Sequence, residues 1–153
     1  MKYFFLFLIS CAVLACTSTD KQPTAASQAK NDSLAQVAMS DTANFTTIQW
    51  LDSAHQDLGH VSEGQVVEIS WHFKNTGNKP LVVANVQPGC GCTVADKPQE
   101  PVAPGATGII KARFDSKNHP GIQNKDVYVR ANDRNKNAEG TDRLSFHVEV
   151  QPK

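Results

Sequence analysis

From Val67 to Lys74 the chain alternates without a break. Val67, Ile69, Trp71 and Phe73 take one parity; Glu68, Ser70, His72 and Lys74 take the other. Successive side chains on a strand point to opposite faces, so this pattern predicts a half-buried β-strand with Trp71 in the core and conflicts with a helical period. The same alternation returns downstream. Thr46 to Leu51 mixes β-branched and aromatic residues with polar ones, and Gly108 to Asp115 turns Ile110, Ala112 and Phe114 inward. Lys125 to Ala131 does so with Val127, Val129 and Ala131, and Arg143 to Val150 with Leu144, Phe146, Val148 and Val150. Leu81 to Val86 is a shorter apolar run. Turn formers separate these runs: Asn75 to Pro80, Gln87-Pro88-Gly89, Pro101 to Gly105, and His119-Pro120-Gly121. The spacing predicts no helix. It predicts an all-β fold, an immunoglobulin-like antiparallel β-sandwich of about seven strands over residues 45–153. No Cys…Trp…Cys spacing supplies the inter-sheet bridge of antibody domains.

The N-terminus reads as an address. Met1-Lys2 precedes a mostly apolar run over residues 3–15, the length of a signal h-region and too short to span a bilayer. Val13-Leu14-Ala15-Cys16 resembles the bacterial lipobox, which implies cleavage of a signal peptide over 1–15 and acylation of Cys16. Leu8-Ile9-Ser10-Cys11 fits that pattern slightly better letter by letter, which makes Cys11 the alternative anchor, but it would leave Ala-Val-Leu-Ala at the mature start. An ordinary cleaved signal with a coincidental cysteine is the third reading. With Cys16 lipidated, more than one acyl chain would anchor the protein stably at the membrane. Residues 16–44 then form a flexible tether, because 17–44 hold no aromatic and few large aliphatic residues. As a coil such a tether reaches roughly 30 Å.

The domain carries a more specific resemblance. Phe73-Lys74-Asn75-Thr76-Gly77 followed by Pro80-Leu81 resembles the F-x-N-T-G-x-x-P-L signature of the bacterial DUF1573 family. Cys90-Gly91-Cys92-Thr93 resembles its C-G-C-T element, and Pro104-Gly105 ahead of Gly108 to Phe114 its P-G-x-x-G-x-I-x-V-x-F stretch. Gly121 with Lys125-Asp126-Val127 resembles the entry to its next strand. The resemblance implies an immunoglobulin-like sandwich and, in many members, a lipoprotein; it implies no activity. On physical grounds, Asn75, Thr76 and Gly77 are the residues of a tight turn, for which Asn and Gly supply positive φ.

Cys90-Gly91-Cys92 is the one constellation with chemistry. In an extended strand the two Cα atoms would lie about 6.6 Å apart, near the limit for a disulfide, so a bridge needs a kink that Gly89 and Gly91 make easy. A strained bridge would be oxidising and redox-active. Two thiolates on one face would instead suit a soft ion such as Cu(I) or Zn(II). His60, His72, His119 and His147 could add ligands, although nothing in their spacing places them at the thiols. In the third reading the cysteines only shape a loop, reduced or bridged. Ser145, His147 and Glu149 share the outer face of the last strand and read as solvated. Asp57 and Glu63 form no recognisable carboxylate pair, and Arg130, Asp133, Arg134 and Lys136 read as a solvated loop tip.

Fifteen Lys+Arg balance fifteen Asp+Glu, leaving a formal net charge of zero. Nothing here pulls broadly on nucleic acid, and no phosphate loop or base-stacking platform is visible. The expectation is a non-enzymatic, lipid-anchored binding or scaffold module of the cell envelope, facing the periplasm or exterior. It would engage an envelope protein or glycan and need no cofactor beyond the covalent lipid on Cys16. The alternative is a thiol–disulfide or Cu/Zn-handling protein working through Cys90 and Cys92.

Overall fold

The computed structural model describes residues 25–136 and 140–153. The signal segment, Cys11 and Cys16 lie outside these described residues. Among the described residues, eight strands follow one α-helix and a short 3-10 turn over Thr42–Asn44: α1 (Ala25–Ser40), β1 (Ile48–Trp50), β2 (His55–Ser62), β3 (Val66–Asn75), β4 (Val83–Pro88), β5 (Thr93–Asp96), β6 (Thr107–Asp115), β7 (Gly121–Ala131) and β8 (Asp142–Gln151). They form two four-stranded sheets, in the orders β1-β3-β6-β5 and β2-β8-β7-β4. The inward faces are those the alternation marks. Trp71, Phe73, Ile110 and Phe114 from one sheet and Val127, Val129, Leu144, Phe146 and Val148 from the other are wholly buried. Across the interior the Phe114 and Phe146 rings lie 5.7 Å apart. Each such aliphatic or aromatic side chain contributes about 1.5–3 kcal/mol by leaving water.

Three features depart from the sequence expectation. First, β2 runs parallel to β8, so the sandwich is not purely antiparallel. The chain leaves β1 in the first sheet and enters the second beside the C-terminal strand, in the same direction. Second, β2 and β5 add to the strands legible in the sequence. Both are edge strands. β2 carries a register irregularity between Asp57 and His60, with Gly59 at φ +67°, which breaks its alternation. β5 has only four residues. Third, Ala25–Ser40 is a helix and not an irregular tether. Alanine is the best helix former, and Ala35 and Ala38, three residues apart, are buried. Leu34 and Val37 border a groove floored by Pro80, Val82 and Pro101. No helix among the described residues is long and apolar enough to cross a membrane.

The end of the sandwich at which β3 finishes is closed by a buried polar network. Asn75 is wholly buried. Its amide donates to the carbonyls of Lys79 (2.7 Å) and Val102 (2.9 Å). Its Oδ1 accepts from the Thr46 hydroxyl (2.7 Å) and the Gly77 N–H (3.1 Å). Neither Asn75 nor Gly77 has positive φ. Gly77 is needed for proximity instead: a Cβ there would overlap Thr46 Oγ1 and sit 2.8 Å from the Thr47 nitrogen. Asn132 does a parallel job, accepting from the Val82 N–H (2.7 Å) and donating to the carbonyls of Asn44 (2.7 Å) and Pro80 (3.0 Å).

Candidate functional site

The opposite end, where β4 stops and β5 begins, is built differently. The Gly89 N–H donates to the Asp126 carbonyl at 2.8 Å, and a Cβ on Gly89 would press on that oxygen at 3.4 Å. The chain then turns, with the Thr93 N–H donating to the Cys90 carbonyl. Cys90 and Cys92 are bridged, with their Cα atoms 5.3 Å apart, closer than the extended spacing. The kink expected from the sequence is therefore present. Gly91 does not enable it through unusual backbone, because its φ is not positive and a Cβ there would meet no atom within 4 Å. A glycine with room for a side chain leaves that side of the bridge bare. A disulfide has no S–H, so the buried Thr93 hydroxyl is the donor at 3.6 Å from Cys90 Sγ and 4.0 Å from Cys92 Sγ. The Asp115 N–H holds the Cys92 carbonyl at 3.0 Å.

Beside the bridge lies an open depression of about 530 Å³ lined by Cys92, Val94, Arg113, Asp115, Lys117 and His119, with Val66 at its margin. Val66 and Val94 are exposed to 56% and 54%. Asp115 Oδ1 accepts from the Lys117 N–H at 2.9 Å. His119 Nδ1 lies 2.7 Å from the Lys117 carbonyl; a carbonyl only accepts, so Nδ1 carries the proton and Nε2 is left as the acceptor of the neutral ring. The ring also stands edge-on to Phe114 at 6.0 Å. Neither Arg113 nor Lys117 enters an ion pair among the described residues. The depression thus sets two exposed valines, two cations and the Asp115 carboxylate beside a disulfide.

Of the histidines named from the sequence, only His119 shares this depression with Cys92. His72 Nδ1 faces Asp52 at 2.7 Å, and the His72 N–H donates to the same carboxylate at 2.6 Å. The His72 backbone and side-chain hydrogen bonds together hold the Asp52 carboxyl below its usual range. His60 faces Glu149 at 3.3 Å and His147 faces Asn124 at 2.9 Å. Ser145, His147 and Glu149 each have a partner on another strand and form no relay among themselves. Asp57 and Glu63 cap the Gly59 and Asn118 N–H groups. No group of three or more His, Cys, Asp or Glu among the described residues has metal-holding geometry. In the bridged state the two sulfurs present no thiolate to a soft ion. The loop after β7 is not uniformly solvated as its charges suggest. Asp133 is 1% exposed, the Arg134 Nε donates to the Phe45 carbonyl, and Lys136 Nζ lies 4.4 Å from the Phe45 ring centroid. Sequence reasoning did not single out Arg113, Lys117 or Val94, which look like ordinary outward residues until the turn brings the bridge beside them.

Among solved structures, a protein of unknown function from Porphyromonas gingivalis W83 is similar with a TM-score of 0.59 at 16% identity, over 72% of this chain and 50% of that one. The ASH/PapD-like domain 7 of human CEP192 is similar with a TM-score of 0.51 at 9% identity, over 72% and 89%. The secreted serine protease VesC from Vibrio cholerae gives 0.50 at 14% identity, over 69% and 23%. This chain therefore spans half the length of the Porphyromonas gingivalis protein and under a quarter of VesC. Identities this low establish a shared immunoglobulin-like sandwich and nothing further. No curated protein matches the sequence. Residues 48–150 match DUF1573, described as a protein of unknown function, and over that span the chain belongs to this family.

Proposed function

We propose that the chain is a non-enzymatic binding or scaffold module, anchored to an envelope membrane by acyl chains on Cys16, which docks an envelope protein at its disulfide end. The observation that carries this reading is the depression where exposed Val66 and Val94 adjoin Arg113 and Lys117, neither of them in an ion pair among the described residues. Apolar contact with flanking cations suits an extended, acidic segment lying along the β5 edge. Affinity capture from detergent-solubilised envelopes tests it. The full chain is expected to retain a defined protein that Val94→Glu with Arg113→Glu loses, while Cys16→Ala releases the chain from the membrane fraction. Retention by the charge-reversed variant, or membrane attachment that survives Cys16→Ala, contradicts the reading.

A second reading rests on the bridge itself. A two-residue spacing closes a small ring, and Gly91 leaves one side of it open to an incoming thiol. A partner thiolate would attack one sulfur; the Cys90–Cys92 bond breaks, a mixed disulfide forms, and the other cysteine leaves as a thiolate beside Arg113 and Lys117. A second partner thiolate then releases the reduced chain, and the partner dithiol is oxidised by two electrons. Equilibration with glutathione decides it. A potential more oxidising than about −300 mV supports exchange, and a lower one marks a structural bridge. Unchanged capture by the Cys90→Ser, Cys92→Ser chain would leave docking without a redox role.

A further inference from the structure

The disulfide faces a depression whose walls are fixed by the β5–β6 ladder and the turn after it. Val94 stands opposite Arg113, and two residues on the Asp115 N–H donates to the Cys92 carbonyl at 3.0 Å. Cys92 is therefore a diagonal cross-strand neighbour of Arg113, a separation of about 7–8 Å that a long side chain spans. The turn holds Lys117 on the same wall: its N–H donates to Asp115 Oδ1 at 2.9 Å, and its carbonyl accepts from His119 Nδ1 at 2.7 Å. Arg113 and Lys117 are both exposed and in no ion pair among the described residues. Against these two cations the lining sets one carboxylate, Asp115. Glu68, opposite Arg113 on β3, borders the neighbouring hollow and not this one. The buried Thr93 hydroxyl lies 3.6 Å from Cys90 Sγ and 4.0 Å from Cys92 Sγ, so a donor faces whichever sulfur departs as a thiolate. The volume, about 530 Å³, falls in the ~300–1,000 Å³ range of small-ligand sites.

We propose, on the exchange reading of the bridge, that this depression takes a small acidic thiol as the reductant of Cys90–Cys92: a cysteine thiol flanked by free carboxylates, which Arg113 and Lys117 receive. The thiolate of the bound molecule attacks one sulfur. The Cys90–Cys92 bond breaks, a mixed disulfide forms, and the other cysteine keeps the electron pair as a thiolate. A second molecule of the thiol attacks the mixed disulfide. The small thiol leaves as its own symmetric disulfide, and both cysteines take protons from water. The chain gains two electrons and the two thiols lose them. Fixed cations raise the local concentration of an anionic thiol and lower that of a cationic one, so the site selects its reductant by charge.

Reduction by three probe thiols tests this: anionic glutathione, neutral 2-mercaptoethanol and cationic cysteamine. The full chain is held in detergent at low salt, and alkylation of Cys90 and Cys92 is followed by peptide mass. Rates are taken per thiolate and referred to the same rates on an oxidised peptide of residues 87–94. Relative to that peptide, the chain should favour glutathione over cysteamine by about tenfold. Added salt should lower the preference, and Arg113→Gln with Lys117→Gln, both at exposed positions, should return it to the value of the peptide. A chain that 2-mercaptoethanol reduces but that shows only the preference of the peptide overturns the site and leaves the exchange reading standing. A preference that survives the double substitution also overturns the site. A chain that none of the three reduces, although all three reduce the peptide, overturns the exchange reading and the site with it.

Discussion

At the end of the sandwich where β3 stops, Asn75 is wholly buried and both its amide hydrogens and its oxygen are engaged. At the other end the Cys90–Cys92 bridge is half-buried, Gly91 is bare, and Arg113 and Lys117 stand in no ion pair among the described residues. Both ends carry polar sequence motifs, and both belong to the stretch that resembles the family. The difference is where the polar groups find their partners. The Asn75 end spends its hydrogen bonds inside the chain, tying β3 to the Thr46 segment and to the loops around Lys79 and Val102. At the disulfide end, Arg113 and Lys117 stand in no ion pair among the described residues, and Val66 and Val94 are exposed; this is the end to which the proposed docking is assigned.

The comparison can be broken most sharply at the closed end. Asn75→Ala should cost on the order of 3–5 kcal/mol, because it leaves the Thr46 hydroxyl, the Gly77 N–H and two carbonyls unpaired. Gly108→Ala belongs with it, since a Cβ there would overlap the Phe73 ring. Denaturant unfolding measures both, and a cost below 1 kcal/mol for either would mean that this end is not the structural one.

The disulfide end should be cheaper to alter. Cys90→Ser with Cys92→Ser should cost about 1.6 kcal/mol at most, the loop-entropy value for so short a ring. A much larger loss would make the bridge structural and erase the contrast.

A smaller effect separates the carboxylates. The folded-state pKa of Asp142 is raised to about 6 from 3.8. Between those values the folded chain holds more protons than the unfolded one at this site, so stability falls as pH rises from about 4 to 6. Partial exposure limits the change to ~1 kcal/mol. Asp52 acts in the opposite sense: its carboxyl is depressed, first by the His72 backbone N–H, so its contribution is present above pH 3.8 and is lost as pH falls below it. The Asp142→Asn chain should lose the slope between pH 4 and 6 and keep the acid limb. Smallest of all, Gly91→Ala should change stability by less than about 0.5 kcal/mol, because its Cβ enters open space.

The central strands were legible because both their faces report. Trp71 and His72 cannot exchange places without burying a histidine and exposing a tryptophan, so period two survives in the sequence. Edge strands lose that signal: β2 is broken at Gly59, and β5 is too short to show a period. The helix was missed because alanine gives it propensity without an apolar stripe, and Ala35 and Ala38 are small enough to bury without marking a face. At the candidate site the cysteine pair was visible as a motif, but its surroundings were not. Arg113 and Lys117 reach the bridge only because β6 ends beside the β4–β5 turn. Gly77 and Gly91 show the same limit from another side. Both read as turn glycines; one is held by a steric contact with Thr46, and the other by nothing inside the chain.

Site-specific photo-crosslinking in intact cells tests the central claim most directly, with the probe placed at Val94 in one chain and at Thr76, exposed at the closed end, in another. The account predicts a discrete protein adduct from position 94 that disappears with Arg113→Glu, and none from position 76. Adducts from position 76 alone, or none from either position, would contradict it.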